Sequence, residues 1–161
     1  MTVTIRAIHP DDAGEVLTLQ RAAFVDDAIL YDDPSLPVMT QTLEQVEAEL
    51  ADNLGCVAED EHRIVGAARA RRDGPLLLIG RIAVAPDRQG DGIGSALLDA
   101  LERQGLAHGC AEAELFTGSR NVANIELYEG LGYAQTQRVD QGDGTEQVFL
   151  RKRLDRRDRT P

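Results

Sequence analysis

Gln89-Gly90-Asp91-Gly92-Ile93-Gly94 directly follows the apolar run Leu76 to Ala85 and leads into Ile93, Ala96, Leu97, Ala100 and Leu101, apolar residues at helical spacing. The hexapeptide is therefore a strand-to-helix turn. Glycine at 90, 92 and 94 removes every second side chain, so backbone N–H groups can approach a ligand closely and the helix entrance can pack tightly. A helix beginning there turns its unpaired N–H groups and the positive end of its dipole outward, which is the chemistry of a phosphate site.

Spacing sorts the nucleotide motifs that use such a turn. A P-loop needs a lysine just after its second glycine, and the chain has no lysine before Lys152. A dinucleotide fingerprint forced onto Gly90 and Gly92 puts Ser95 at its third glycine position, and the turn sits after several strands instead of opening the fold. A glycine-rich turn without a ligand is the plain alternative, and context decides between them.

Working outward, the 161 residues with 42% hydrophobic and 28% charged content describe a globular chain able to bury a core. No apolar run is long enough to span a membrane and no signal peptide is apparent, so a soluble, cytoplasmic protein is expected. Cys56 and Cys110 cannot build a disulfide framework, and His9, His62 and His108 lack metal-ligand spacing, so no metal is expected. The net charge of -11 disfavours nucleic acid or an anionic membrane as partner and suits a cationic amine.

Before the turn, Val3 to Ile8 alternates as a half-buried strand, and Asp11 or Asp12 can cap a helix whose apolar face runs from Ala13 to Val25. The stretch from Asp26 to Pro37 breaks the periodicity with four aspartates, Tyr31, Pro34 and Pro37, and is expected as a long loop that either faces substrate or merely connects. Thr42 caps a second helix that ends near Asn53. Cys56 to Glu59, Arg63 to Ala70 and Leu76 to Ala85 then form an antiparallel meander. After the turn and its helix, Ala111 to Phe116 is a strand, Asn121 opens a helix closed by Gly132, and Tyr133 to Val139 with Glu146 to Leu150 makes a hairpin around Asp143-Gly144. The charged stretch from Arg151 to Pro161 is expected to fray, with residues 154–161 as a tail beyond one domain at 1–153. The expected fold is α+β, a mixed, largely antiparallel sheet of about seven strands flanked by four helices.

That element order, with Gln89-x-x-Gly92-x-Gly94, resembles the GNAT superfamily of N-acetyltransferases over roughly Val3 to Arg153. Thr117-Gly118-Ser119-Arg120-Asn121 and Asn124-x-x-x-Tyr128-x-x-x-Gly132-Tyr133 are similar to the family's later segment beside coenzyme A. The resemblance implies acetyl transfer from acetyl-CoA to a primary amine of a small molecule, protein or peptide, and a homodimer is compatible with it. It implies a coenzyme A site made of Ile82, Ala83 and Val84 on the strand, then Arg88, Gln89, Gly90, Asp91, Gly92, Ile93, Gly94 and Ser95, with Asn121, Asn124 and Tyr128 on the later helix. Tyr128 is the expected acid for the departing thiolate, and Arg88 is expected as a charge available to the pyrophosphate.

Asp91 departs from the family pattern, and its side chain is expected to point to solvent. Gly80 is expected either to form a bulge or simply to pack. Many family members carry a glutamate base on the fourth strand, and Leu76 to Ala85 has no carboxylate. Glu112, Glu114, Asp73, Asp26, Asp27, Asp32 and Asp33 remain as candidates, and the sequence does not choose among them. A non-catalytic acyl-CoA-binding sensor or assembly module is the alternative function.

Overall fold

In the computed structural model, residues 3–154 are described. Strand β1 (Val3–Ala7) leads through a 3-10 turn, Pro10–Asp12, into α1 (Ala13–Ala23). His9, not an aspartate, caps this entry: its Nδ1 accepts the Asp11 amide at 3.1 Å. Asp12 instead accepts the His9 amide at 2.8 Å and pairs with Arg6 at 2.9 Å, so its carboxylate is already committed.

The stretch expected as a loop, Asp26 to Pro37, instead carries most of α2 (Val25–Leu30) and ends where α3 (Pro37–Thr40) begins. Local chemistry accounts for both short helices. Asp26 and Asp27 sit in the first turn of α2, at its positive dipole end, and Pro37 opens α3, where a missing N–H costs nothing. Helix α4 (Leu43–Asp52) begins as expected on Thr42, whose hydroxyl and Gln45 form a reciprocal cap.

Strands β2 (Leu54–Asp60), β3 (Arg63–Asp73) and β4 (Leu76–Val84) form the expected antiparallel meander. Helix α5 (Ile93–Ala107), β5 (Glu112–Gly118), α6 (Val122–Gly130), β6 (Ala134–Asp140) and β7 (Glu146–Arg153) complete the order. Gly132 follows α6 at φ 97°, the left-handed position that ends a helix. Residues Arg151 to Leu154 do not fray: β7 continues to Arg153, and buried Leu154 donates its amide to Ala111 at 2.8 Å. The rest of the expected tail, 155–161, lies outside the described residues.

The sheet has seven strands, the number expected from sequence, and their order is β1-β2-β3-β4-β5-β7-β6. Only β4 and β5 run parallel, and they pair at Leu76, Leu77 and Leu78 opposite Glu112, Ala113 and Glu114, then part. A bulge bends β4 where this happens. Ala67 faces Ala83 and Arg69 faces Gly80, so Arg81 and Ile82 together oppose Ala68 alone. The residue that makes the turn is Arg81 at φ 55°, not Gly80, whose added Cβ would meet nothing within 4 Å. A left-handed non-glycine residue costs about 1–2 kcal/mol, so the surrounding sheet must impose it.

Two layers cover the meander. Cys56 Sγ contacts the Leu97 carbonyl at 3.4 Å, which puts α5 on the Cys56 and Ala68 face. Adjacent Arg69 therefore faces the other way, where it bonds Gln20 of α1 and Glu49 of α4. Between sheet and α5, Leu77, Leu97 and Leu101 are fully buried, each side chain contributing about 1.5–3 kcal/mol.

Candidate active site

The glycine turn takes the conformation its sequence requires. Gly90 and Gly92 stand at φ 88° and 81°, a region side chains rarely adopt. Gly92 is the N-cap of the 15-residue α5 and offers no side-chain oxygen, so the first amides of that helix have no cap. Arg88 is not the free charge expected. Its Nη1 reaches Asp60 at 2.7 Å and its Nε reaches Asp91 at 3.1 Å, so Asp91 closes onto Arg88 instead of simply pointing to solvent. The same guanidinium leaves Nη2 buried without a hydrogen-bond partner. Uncapped amides beside an orphaned guanidinium nitrogen fit an anionic group.

Where β4 and β5 part, a cavity of about 880 Å³ opens on the α1 and α4 side of the sheet. Ile82, Asn121, Asn124 and Tyr128 all line it, whereas Ala83, Val84 and residues 88–95 lie beyond it along the strand and turn. Asn121 stands just before α6, with Asn124 and Tyr128 following on that helix, and all three therefore converge on this opening.

Tyr128 is 8% exposed, and among the described residues its hydroxyl has no hydrogen-bond partner. Burial, with a smaller contribution from the charge of Asp27, pushes its pKa up to about 12. The ring is held edge-on against Tyr133 at 6.3 Å. This phenol remains protonated and free to donate.

Opposite Tyr128, the acidic segment enters the cavity through Asp27, Tyr31 and Asp33. Tyr31 donates its hydroxyl hydrogen to Asn121 Oδ1 and accepts the Arg120 amide at 3.2 Å, while Asn121 Nδ2 approaches Asp27 at 3.5 Å. Burial raises the Asp27 carboxyl above the usual carboxylate range, against a lowering from its Asn121 bond. A carboxylate whose pKa is raised is a better proton acceptor.

Residues 18–133 match the model of the acetyltransferase (GNAT) family. The chain belongs to the GNAT acetyltransferase family. Acetyltransferase SG1711 of Sodalis glossinidius (strain morsitans) is 31% identical over 129 residues, spanning 80% of this chain and 85% of the relative. The GNAT fold also appears in PaiA N-acetyltransferase of Thermoplasma acidophilum, solved with coenzyme A, at a TM-score of 0.78 and 17% identity over 95% of this chain and 99% of that one. YncA of Salmonella typhimurium, solved with its cofactor acetyl-CoA, aligns at 0.75 and 20% identity over 96% and 95%. The ribosomal-protein-S18-alanine N-acetyltransferase of Escherichia coli aligns at 0.77 and 21% identity over the same shares, 96% and 95%.

Among the carboxylates considered from sequence, the fold of this GNAT chain separates the committed from the available. Glu114 lines the cavity but pairs with Arg151 at 2.8 Å, and Glu112 lies 3.6 Å from the same arginine. Asp33 lines it but accepts the Ser35 amide and hydroxyl at 2.9 and 2.6 Å. Asp26, Asp32 and Asp73 do not line it. Asp27 remains.

Several lining residues were not singled out from sequence: Arg81, Phe116 and Phe149, with Tyr31 noted only as part of its loop. A signal for Arg81 was present, since it is the one charged residue in Leu76 to Ala85. Tyr31 lies four positions after Asp27, a helical spacing that would put both on one face. Phe116 and Phe149 carried no such signal, because their neighbouring, with ring centroids 5.4 Å apart, is created by strand pairing.

Proposed function

We propose that this GNAT protein transfers the acetyl group of acetyl-CoA to a primary amine of a small molecule or of a protein or peptide. The observation that carries the reading is the parting of β4 from β5 between an uncapped helix N-terminus and a cavity holding Asp27 and Tyr128. Residues Gln89 to Ser95, including Gly90, Asp91, Gly92, Ile93 and Gly94, would supply the turn whose amides receive the pyrophosphate, braced from behind by Arg88. Ile82, Ala83 and Val84 would offer their backbone edge, left without a β5 partner, to the pantetheine arm. Asn121, Asn124 and Tyr128 would border the thioester end.

Acetyl-CoA supplies the activated acyl group, and the chain's residues handle protons and position. An amine arrives mostly as ammonium and must lose a proton before it attacks. Asp27, raised by burial, is the acceptor for that proton. The Tyr128 hydroxyl then steadies the departing sulfur. With its pKa near 12 against about 8.5 for a simple thiol, full proton transfer from phenol to thiolate runs uphill. Tyr128 therefore works chiefly by donating a hydrogen bond to developing charge.

Release of free coenzyme A thiol against a panel of amines tests the reading. Release that depends on the amine is expected. Tight acetyl-CoA binding with no amine-dependent release would replace the enzyme by an acyl-CoA-binding sensor or assembly module, and absence of binding would remove both.

A further inference from the structure

Arg81 is a half-buried residue in left-handed backbone at the bulge of β4, and it lines the cavity. Its Nε is buried with no hydrogen-bond partner, and among the described residues no carboxylate pairs with its guanidinium. Sequence makes this unusual. With 28 acidic side chains against 17 Lys and Arg, an unpaired arginine is not explained by a shortage of partners.

The neighbouring charges are already committed. Arg69, close enough for Arg81 to disfavour its charge, is satisfied by Glu49 at 2.9 Å and by Gln20 and Gln41 at 3.1 Å. Glu114 answers Arg151 at 2.8 Å. Arg81 thus adds a positive charge beside a neutralised one, in strained backbone, with its Nε edge shielded from water. Such an arrangement is costly unless an anion completes it.

The location argues against the cofactor's phosphates as that anion. Arg81 opens onto the α1 and α4 side, while the glycine turn lies past the far end of β4 at residues 89–94. A guanidinium whose Nε and adjoining Nη can donate side by side matches the two oxygens of a carboxylate.

We propose that Arg81 binds the carboxylate of the acceptor, which makes the acceptor an α-amino acid or similar small amino carboxylate. The inference rests on the acetyltransferase reading. Asp27 would take the ammonium end, and Phe116, 52% exposed beside Phe149, would offer an apolar wall to the side chain. Simple polyamines and peptide N-termini, which lack a carboxylate beside the amine, would be poor acceptors.

The test compares amino acids with their decarboxylated amines: glycine with methylamine, leucine with isopentylamine, phenylalanine with phenethylamine. For each pair, kcat/KM is measured in the parent protein and in Arg81→Asn and Arg81→Gly, two residues that tolerate positive φ. Intrinsic differences in amine reactivity cancel when the parent's ratio is divided by the variant's. At least one pair should lose tenfold or more of its preference for the carboxylate, with the KM for acetyl-CoA unchanged. Unchanged ratios in every pair, or a loss confined to acetyl-CoA, would overturn the inference.

Calorimetric titration of the same pairs into coenzyme A-saturated protein separates the two readings. A carboxylate preference in binding that disappears in the variants, without turnover, keeps this site and removes the acetyltransferase. Turnover with no carboxylate preference does the reverse.

Discussion

Tyr31 donates its hydroxyl hydrogen to the side-chain oxygen of Asn121, joining the end of α2 to the β5–α6 turn across 90 positions of sequence. Gly118 makes the approach feasible, since a Cβ there would overlap the Tyr31 hydroxyl. The contact fixes one wall of the cavity from two distant segments.

Gly118→Ala should therefore destabilise the protein, and it should do so only while Tyr31 is present. In a Tyr31→Ala background the same substitution should be nearly neutral, a coupling of about 0.5–3 kcal/mol in urea denaturation. Equal costs in both backgrounds would mean that the glycine matters for its backbone and not for this neighbour.

Asp27 gives a prediction whose sign follows from its environment. The folded carboxyl holds its proton to higher pH than the unfolded one, so the unfolded state binds fewer protons in between and stability falls as pH rises through that window. Asp27→Asn should raise Tm at neutral pH, with the gain shrinking as the pH falls through the raised value of Asp27 and vanishing near the ordinary carboxylate value of about 3.9. Turnover should move oppositely, falling roughly 10²-fold or more with loss of the acid limb of kcat/KM. A variant that is both less stable and fully active at pH 7 would contradict both halves.

Tyr128→Phe keeps the ring against Tyr133 and removes only the hydroxyl. Acetyl-CoA affinity and Tm should change little, while kcat falls roughly 10²-fold. The defect should narrow with an acyl donor whose thiol leaves more readily. Because the phenol's pKa lies near 12, no alkaline loss of activity below about pH 10 should trace to Tyr128. Normal turnover by Tyr128→Phe would leave the residue a packing role.

Gly92→Val imposes a β-branched side chain on backbone at φ 81°. Coenzyme A affinity should fall at least tenfold, about 1.4 kcal/mol, in a variant that still folds by circular dichroism. Unchanged affinity would detach the turn from the cofactor. Asp91→Asn should also weaken binding slightly, because Asp91 helps anchor Arg88 at 3.1 Å and its loss lets the guanidinium wander.

The meander, the glycine turn and both helices flanking it were legible because each depends on local patterning. Alternation in Val3 to Ile8 and helical spacing after Ile93 need no knowledge of the rest of the chain. Asp27 was one candidate among seven, since only tertiary packing distinguishes a half-buried carboxylate from exposed Asp26 or from Glu114 tied to Arg151. Arg88 was misread for the same reason, as its partner Asp60 arrives from another strand at 2.7 Å. Propensity left Gly80 either to form a bulge or simply to pack, whereas register places the bulge on Arg81, where conformational preference is overridden by the sheet.

The short β4–β5 pairing has a consequence for dynamics. With three residues of each strand in register, the four-strand and three-strand halves of the sheet are stitched together at one end and open at the other. Along that seam amide hydrogens lack a strand to protect them, and exchange with solvent deuterium should be fastest there for a buried part of the protein. A molecule laid into the gap would act as the missing rung of the ladder, so Val84, whose N–H points away from β3 because its neighbours Ala83 and Ala85 face that strand, should be the amide whose exchange slows most on binding.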